Sequence, residues 1–208
     1  MFTEVAAERQ VTWQPSLLDD EAPGFDPALS GARRRFLGAG AWVDLVPGWA
    51  SGCDALFDTI LEHAPWHAFE RPMYDRVVDV PRLETRRWHG GRPRLLDAMA
   101  RSLGLHYGTW LPTISANLYR HGDDSVAWHG DRVGRRRADT IVAILSLGST
   151  RRLLLRPDGG GPSVGYTLRA GDLLVQGGTC QRTFEHCVPK CAHAGPRISV
   201  MFREAGGN

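Results

Sequence analysis

The chain has few cysteines, and their placement argues against a disulfide framework. The four are Cys53, Cys180, Cys187 and Cys191 in a chain of 208 residues. Small secreted domains held by disulfides carry a denser and more regular set. Three of these cysteines lie near His186 and His193 in a cluster that could hold zinc, although no C-x2-C pair is present. Buried or incidental thiols are the alternative that this spacing favours.

Long apolar runs and lysine are also scarce. No apolar run reaches the roughly 18 residues of a membrane span, and the N-terminus lacks the basic-then-apolar pattern of a secretory signal. We therefore expect a cytoplasmic protein without a membrane partner. Lys190 is the single lysine among 25 basic residues. Arginine suits bidentate recognition of phosphate and carboxylate groups, but so complete a bias is equally consistent with genome composition.

The remaining composition is that of an ordinary globular domain, with 42% hydrophobic residues, 23% charged residues and a net charge of +2. A chain of 208 residues is long enough to bury one substantial core. Residues 1–40 mix proline, glycine and charge without periodicity, and they predict an irregular lead-in. Residues 41–208 then form a single domain, which we expect to be a monomer.

The residues after this lead-in predict two helices followed by many strands. A short strand is predicted at 41–46, and Ser51 is placed to cap a helix that runs to about His63. A second helix from about Pro93 is predicted to end at Gly104. Strands separated by turns follow at 113–120, 139–147, 151–156, 164–169, 172–176, 182–188 and 196–203. This regular spacing predicts a mostly β sandwich or barrel with two helices packed on one sheet.

Two motifs in one short stretch carry site chemistry. Asn117-x-Tyr119 and His129-x-Asp131 each have the i, i+2 spacing that points two side chains to one face of a strand. One imidazole and one carboxylate are two thirds of the triad that holds non-haem Fe(II) with coordination positions open. His186, in a late predicted strand, is the best placed third ligand. For any single histidine, a core or surface role is the plain alternative.

The last predicted strand carries two arginines on one face. Alternation over residues 197–203 puts Arg197, Ser199, Met201 and Arg203 on one face and Ile198, Val200 and Phe202 on the other. Buried guanidinium groups need anionic partners, and a dicarboxylate would provide two. The alternative is an exposed edge strand with two solvated arginines.

Four motifs, in sequence order, resemble those of the AlkB family of Fe(II)/2-oxoglutarate dioxygenases: Asn117-x-Tyr119, His129-x-Asp131, His186 and Arg197-x5-Arg203. The resemblance covers roughly residues 75–204. It implies a double-stranded β-helix, or jelly-roll, core with the helices packed on one sheet. It also implies that His129, Asp131 and His186 ligate Fe(II), with 2-oxoglutarate and O2 as co-substrates.

The same resemblance implies the residues that bind 2-oxoglutarate. Arg197 and Tyr119 would hold its distal carboxylate, while Arg203 and Asn117 would lie near the carboxylate that chelates the metal. Ser199 stands where some relatives place asparagine beside the co-substrate, a change that a hydroxyl group can accommodate.

The function that this family membership would imply is oxidative dealkylation of N-alkylated bases in nucleic acid. DNA repair is the expected role, with formaldehyde, succinate and CO2 as products. One alternative keeps the chemistry and changes the substrate to RNA, protein or a small molecule. Another is a metal-stabilised nucleic-acid-binding protein without turnover, but such a protein has no need of a dicarboxylate site.

Residues 69–94 lie where the family has its nucleotide-recognition cover, and they supply two candidate substrate contacts, Arg82 and Trp88. Arg132 and Arg135 follow the metal motif directly and could meet phosphates. For these arginines, a solvated turn is the alternative.

One departure from the family pattern concerns the base. Several repair enzymes of the family carry an acidic residue two positions after the ligating aspartate, near the exocyclic amine of the flipped base. This chain has Val133 there, so the resemblance leaves a preference for methylated adenine or cytosine open.

Overall fold

The computed structural model describes residues 3–4, 11, 13–15, 21–73, 76–130 and 139–205, with side chains described outside 3–4 and 70–79. These residues form 17 strands and three helices. The helices are α1 Cys53–His63, α2 Arg94–Tyr107 and α3 Cys180–Thr183. The strands are β1 Thr3–Glu4, β2 Gly24–Phe25, β3 Arg33–Gly38, β4 Ala41–Val46, β5 Ala50–Ser51, β6 His67–Ala68, β7 Glu70–Met73, β8 Arg76–Asp79, β9 Leu83–Thr85, β10 Thr113–Tyr119, β11 Val126–His129, β12 Val142–Gly148, β13 Arg151–Pro157, β14 Val164–Leu168, β15 Leu173–Gly178, β16 Phe184–Val188 and β17 Arg197–Arg203.

Two antiparallel sheets face each other. The larger has nine strands in the order β1-β6-β9-β10-β17-β12-β15-β4-β3, and the smaller has four in the order β11-β16-β13-β14. A buried apolar cluster joins Val43 and Ile144 of the larger sheet to Leu155 and Leu168 of the smaller one. The predicted mostly β architecture is therefore confirmed, with one apolar layer between the sheets.

Helices α1 and α2 cover the outer face of the larger sheet. Phe57 of α1 and Met99 of α2 are fully buried in one cluster with Leu145, Val200 and Leu118 of the sheet. Alternation within each strand sends these residues outward and their neighbours inward. The prediction of two helices packed on one sheet is thus confirmed, and the inner face is left for other side chains.

The N-cap of the first helix lies one residue later than predicted, and it is glycine instead of serine. Ser51 lies in β5, and Gly52 is the N-cap with a left-handed φ of 59° and no side-chain cap. A Cβ atom at Gly52 would lie 2.5 Å from the carbonyl oxygen of Glu21, so this position also needs glycine for space. Backbone geometry replaces the predicted serine cap.

The second helix does not end at Gly104 as predicted. It continues to Tyr107 and ends at Gly108, which has a φ of 66°. Gly104 instead lets the chain after the helix approach closely, because a Cβ atom there would lie 2.6 Å from the carbonyl oxygen of Thr109. With 14 residues α2 is the longest of the described helices, none of which is both long and apolar enough to cross a membrane.

Two further segments differ from the sequence prediction. Residues 33–38, placed in the irregular lead-in, form β3 and pair with β4 at the edge of the larger sheet. Most side chains of β3 are exposed, so the strand lacks the apolar alternation by which strands are found. The predicted strand at 182–188 begins only at Phe184, because residues 180–183 form the short helix α3.

The packing of α1 gives the first prediction. Phe57 is fully buried, with its ring centroid 4.3 Å from that of Trp13. We expect Phe57→Ala to lower the free energy of unfolding by about 3–5 kcal/mol, since it leaves a cavity under the helix. Leu105→Ala on α2 is the control, because Leu105 is 86% exposed and its loss should change that free energy by less than about 0.5 kcal/mol. Urea denaturation measures both, and equal losses would contradict this packing.

Candidate active site

The inner face of the larger sheet becomes polar where β10, β17 and β12 lie side by side. Tyr119 of β10 pairs with Arg197 of β17, and Asn117 pairs with Ser199. Ser146 of β12 pairs with the same Ser199 from the other side. The residues between them point outward into the helix-side core. The faces predicted by alternation are therefore the faces that the structure has.

Arg197 lies at the bottom of this polar face. It is 1% exposed, and its Nε donates a hydrogen bond to Ser146 Oγ at 2.9 Å. Its guanidinium carbon lies 5.3 Å from the ring centre of Tyr119. Its buried Nη1 has no hydrogen-bond partner. Burial lowers the pKa of Arg197, and the positive charge of Arg151 lowers that pKa further.

Arg151 is a buried neighbour that the sequence did not single out. It is 3% exposed, and its guanidinium carbon lies 5.5 Å from the ring centre of Tyr119. Its three hydrogen bonds go to the carbonyl oxygens of His121, Asp124 and Pro189, at 3.1, 2.8 and 2.8 Å. Arg151 therefore fixes the loops around the tyrosine, and carbonyl groups satisfy it. Two like charges thus flank Tyr119, and no carboxylate forms an ion pair with either within the described ranges.

The two histidines of the predicted metal site lie next to each other on the smaller sheet. Strand β11 pairs with β16 so that His129 stands opposite His186, and their ring centroids are 4.3 Å apart. His129 Nδ1 is 2.8 Å from the carbonyl oxygen of Ala127. A carbonyl only accepts, so Nδ1 carries the proton and Nε2 keeps the lone pair that a metal ion needs.

Asp131 lies outside the described residues. Over the described part of the chain, no three His, Cys, Asp or Glu side chains converge to hold a metal ion. Of the three predicted metal ligands, His129 and His186 are therefore the two that lie among the described residues.

Arg203 and Asn117 occupy the same polar face as Arg197. Arg203 Nη1 donates a hydrogen bond to Ser115 Oγ at 2.6 Å. Asn117 is half-buried and pairs with Glu84 of β9 on the side away from Ser199. Tyr119, Asn117, Arg197 and Arg203 therefore lie on one face of the sheet, and their roles in binding 2-oxoglutarate stay a prediction.

The predicted substrate contacts fall in different places. Arg82 lies on the inner face, where it forms an ion pair with the buried carboxylate of Glu84. Trp88 is 2% exposed and belongs to the helix-side core, so it does not line the site. Its backbone N–H bonds to the carbonyl of Ile114, and this pairing holds the residue against the sheet. Arg132, Arg135 and Val133 lie outside the described residues.

Glu84 is the other residue of this surface that sequence reasoning missed. Its carboxylate also forms an ion pair with Arg86, whose Nε is 2.7 Å from Oε2. The alternation of Arg82, Glu84 and Arg86 in sequence was a signal for a charged strand face. That signal alone did not say whether the face was buried.

The cysteines do not form the zinc cluster that their spacing left open. Cys180 and Cys187 are buried, whereas Cys191 is exposed. Burial raises the pKa of Cys180 to about 12 and also raises the pKa of Cys187. The structure therefore supports the interpretation of Cys180 and Cys187 as buried thiols, whereas Cys191 is an exposed thiol.

A thiol-reactivity measurement tests this distribution. At pH 8 we expect Cys191 to react rapidly with a disulfide reagent and Cys180 to react only on unfolding, because the thiolate is the reactive form and burial disfavours it. Stopped-flow labelling of native protein, followed by peptide mapping, distinguishes the sites. Rapid labelling of Cys180 in the folded protein would contradict its burial, and labelling in denaturant gives the total of four thiols.

Comparison with known proteins identifies the family. The model of the 2OG-Fe(II) oxygenase superfamily matches residues 65–203. The alpha-ketoglutarate-dependent dioxygenase alkB homolog 3 of Bos taurus is 29% identical over 188 residues, which cover 77% of this chain and 65% of that protein. The DNA oxidative demethylase ALKBH2 of Arabidopsis thaliana is 27% identical over 71% of this chain and 60% of that protein. The chain thus spans no more than 65% of the length of these two relatives.

Solved structures share the fold at low sequence identity. A 2OG-Fe(II) oxygenase family oxidoreductase from Burkholderia pseudomallei has a TM-score of 0.56 at 15% identity, over 77% of this chain and 84% of that one. OsALKBH1 has a TM-score of 0.58 at 14% identity, over 83% of this chain and 100% of that one. These likenesses confirm the expected jelly-roll core. Because the family model covers well over half of the sequence, the chain belongs to the 2OG-Fe(II) oxygenase superfamily, and it is AlkB-like.

Proposed function

We propose that the protein is an Fe(II)- and 2-oxoglutarate-dependent dioxygenase that oxidatively dealkylates N-alkylated bases in nucleic acid, with a role in DNA repair. The reaction releases formaldehyde, succinate and CO2. The observation that carries the proposal is Arg197, buried beside Tyr119 with Nη1 unpaired. A buried guanidinium without an anion is unfavourable. A carboxylate of 2-oxoglutarate at this depth removes that penalty.

The residues present fit an Fe(II) site. His129 and His186 stand opposite each other with ring centroids 4.3 Å apart, and the Nδ1 contact of His129 leaves its Nε2 free to ligate. Asp131, two residues along the chain from His129, would supply the carboxylate. Two histidines and one carboxylate leave coordination positions for a co-substrate and O2.

The spacing of the two arginines suits a short dicarboxylate. At ~3.3 Å per residue, Arg197 and Arg203 are about 20 Å apart along β17. Two extended arginine side chains reaching toward each other leave a gap that a five-carbon dicarboxylate fills. Arg197 with Tyr119 would hold the distal carboxylate, and Arg203 with Asn117 would lie near the one that chelates iron. The intervening Ser199 is 5% exposed and leaves room on this face.

Fe(II), 2-oxoglutarate and O2 together supply the oxidation of a substrate C–H bond, with 2-oxoglutarate converted to succinate and CO2. The residues of this chain position the reactants and exclude water from them. Ser146 orients Arg197 through its Nε, and a buried cluster of Tyr119, Val126 and Val188 seals the region of the tyrosine. When the oxidised carbon is a methyl group on a base nitrogen, the hydroxymethyl product loses formaldehyde and restores the base.

The nucleic-acid substrate is supported by relatives and by charge. Two of the relatives bear the names alkB homolog 3 dioxygenase and DNA oxidative demethylase. In this chain Arg82 lies on the inner face beside the site, and Arg132 and Arg135 follow the metal motif. We assign these three to contacts with phosphates, which arginine recognises well. The catalytic unit is the domain 41–208, acting as a monomer.

A turnover assay tests this function. Protein loaded with Fe(II) is incubated with 2-oxoglutarate and single-stranded DNA carrying an N-methylated base, and succinate and methyl loss are both followed. We expect the two in equal amounts. Asp131→Ala should abolish both, whereas Asp123→Ala should retain them because that side chain is 82% exposed.

The outcomes separate the candidate functions. Succinate without methyl loss would indicate that the substrate is RNA, protein or a small molecule. Absence of succinate, together with absence of 2-oxoglutarate binding, would rule out the proposed oxygenase function. Full activity of Asp131→Ala would show that the ligand assignment is wrong.

Arg197→Met tests the dicarboxylate site by stability. Methionine has a similar length and no charge, so we expect the ligand-free protein to be as stable as the wild type or more stable. 2-Oxoglutarate at 100 times its Kd should stabilise the wild type by about 2.7 kcal/mol, and this gain should vanish in Arg197→Met. Thermal denaturation with Fe(II) under anaerobic conditions measures it. Arg101→Met, at an exposed position of α2, should keep the full gain; retention of the gain in Arg197→Met would contradict the assignment.

A further inference from the structure

One arginine of the smaller sheet lies on the face opposite the two predicted metal ligands. In the pairing of β13 with β16, Leu155 stands opposite His186, and the next pair is Arg156 with Glu185. Leu155 belongs to the apolar cluster between the two sheets, so this pair points to the inner face. Alternation then sends Arg156 and Glu185 to the outer face. Arg156 is therefore one register position away from a predicted ligand, on the other side of the sheet.

Arg156 contacts the residues that immediately precede both histidines. Its Nε and Nη2 donate hydrogen bonds to Oε2 of Glu185, at 3.0 and 2.9 Å. Its guanidinium carbon lies 4.2 Å from the ring centre of Trp128, which is within the range of a cation–π contact. In the sequence, Glu185 precedes His186 and Trp128 precedes His129. One side chain therefore connects the two strands that carry the predicted ligands.

Strand β11 carries His129 and is held by little else in its sheet. It is an edge strand, and within the described part of the chain β16 is its neighbour on one side only. Val126 pairs with Val188, His129 pairs with His186, and the register shifts between these two pairs. An edge strand with an interrupted ladder can change its register or twist away from its neighbour. Contacts on the outer face are then needed to keep His129 opposite His186.

The position of Arg156 differs from that of a second arginine on the same strand and face. The side chains of Arg156 and Glu185 are 30% and 23% exposed, and Trp128 is half-buried. Arg152, four residues earlier on β13, is exposed. It lies over Gly165 of β14, where a Cβ atom would be 2.6 Å from its Nη2. Arg152 therefore extends toward β14, whereas Arg156 extends toward the strands of the two histidines.

We propose that Arg156 is a positioning residue for the metal site. By holding Trp128 of β11 and Glu185 of β16 together, it fixes the separation of the imidazole rings of His129 and His186. This inference rests on the proposed assignment of these histidines as Fe(II) ligands, and it adds the residue that sets their spacing. Residues behind the ligands influence metal affinity because they hold the ligands in the binding geometry before the metal arrives.

Binding of Mn(II) measures this role without turnover. Mn(II) stands next to Fe(II) in the affinity order for nitrogen and oxygen ligands, and electron paramagnetic resonance follows its free concentration. We expect Arg156→Gln, which removes the charge and the guanidinium plane, to raise the Kd for Mn(II) by about tenfold. Arg156→Lys keeps a cation beside both partners, so its Kd should be lower than that of Arg156→Gln. Arg152→Gln is the matched control, and its Kd should equal that of the wild type.

Urea denaturation of the metal-free variants separates positioning from general stability. A folded Arg156→Gln that loses stability but keeps the wild-type Kd would overturn the inference, because the contacts would then support the fold alone. If Arg156→Gln does not fold, Trp128→Leu, which removes the ring from the same contact, must raise the Kd, and an unchanged Kd overturns the inference.

A further variant tests the ligand assignment on which the inference rests. We expect His129→Ala to lose Mn(II) binding. A wild-type Kd in His129→Ala, or absence of Mn(II) binding by the wild type, would overturn the proposed ligand set. Loss of binding in His129→Ala together with a wild-type Kd in Arg156→Gln would overturn the role of Arg156 and leave the ligand set in place.

Discussion

The burial of one arginine without an anion governs the inner surface of this protein. Arg197 is 1% exposed, and its Nε donates a hydrogen bond to Ser146. Arg151, also beside the Tyr119 ring, adds a second positive charge. Burial is the main cause that lowers the pKa of Arg197, and the charge of Arg151 lowers that pKa as well. Such an arrangement is unfavourable in isolation. An anion beside Arg197 would offset this cost.

The same strands supply the rigidity that this arrangement needs. In β10 and β17 every second residue, such as Leu118 and Ile198, packs under the helices, and the residues between them form the polar face. The positions of Tyr119 and Arg197 are therefore set by the hydrophobic core on the opposite side of the same backbone. A substitution in that core acts on the site through strand position, and it leaves the charges unchanged.

Alternation explains which parts could be predicted from the sequence. The polar residues of β10 and β17 were assigned to one face correctly, because period 2 fixes a face whenever the other face is continuously apolar. Arg151 escaped notice since its strand reads Arg-Arg-Leu-Leu-Leu-Arg, where no period shows which arginine points inward. Trp88 was assigned to the substrate, yet it lies in the core. Its backbone N–H donates a hydrogen bond to the carbonyl oxygen of Ile114 in β10, and local sequence does not encode a contact with so distant a part of the chain.

The charged groups on the inner surface are balanced beside Asn117 and unbalanced beside Tyr119. Around Tyr119, the side chains of Arg151 and Arg197 are each no more than 3% exposed, and both are positively charged. Beside Asn117, Glu84 is 5% exposed and forms ion pairs with Arg82 and Arg86. Loss of the Glu84 charge would leave two arginines without their carboxylate, whereas loss of the Arg197 charge would remove a repulsion with Arg151. Removal of one buried charge therefore has opposite electrostatic effects at these two positions, although both lie on the same polar face.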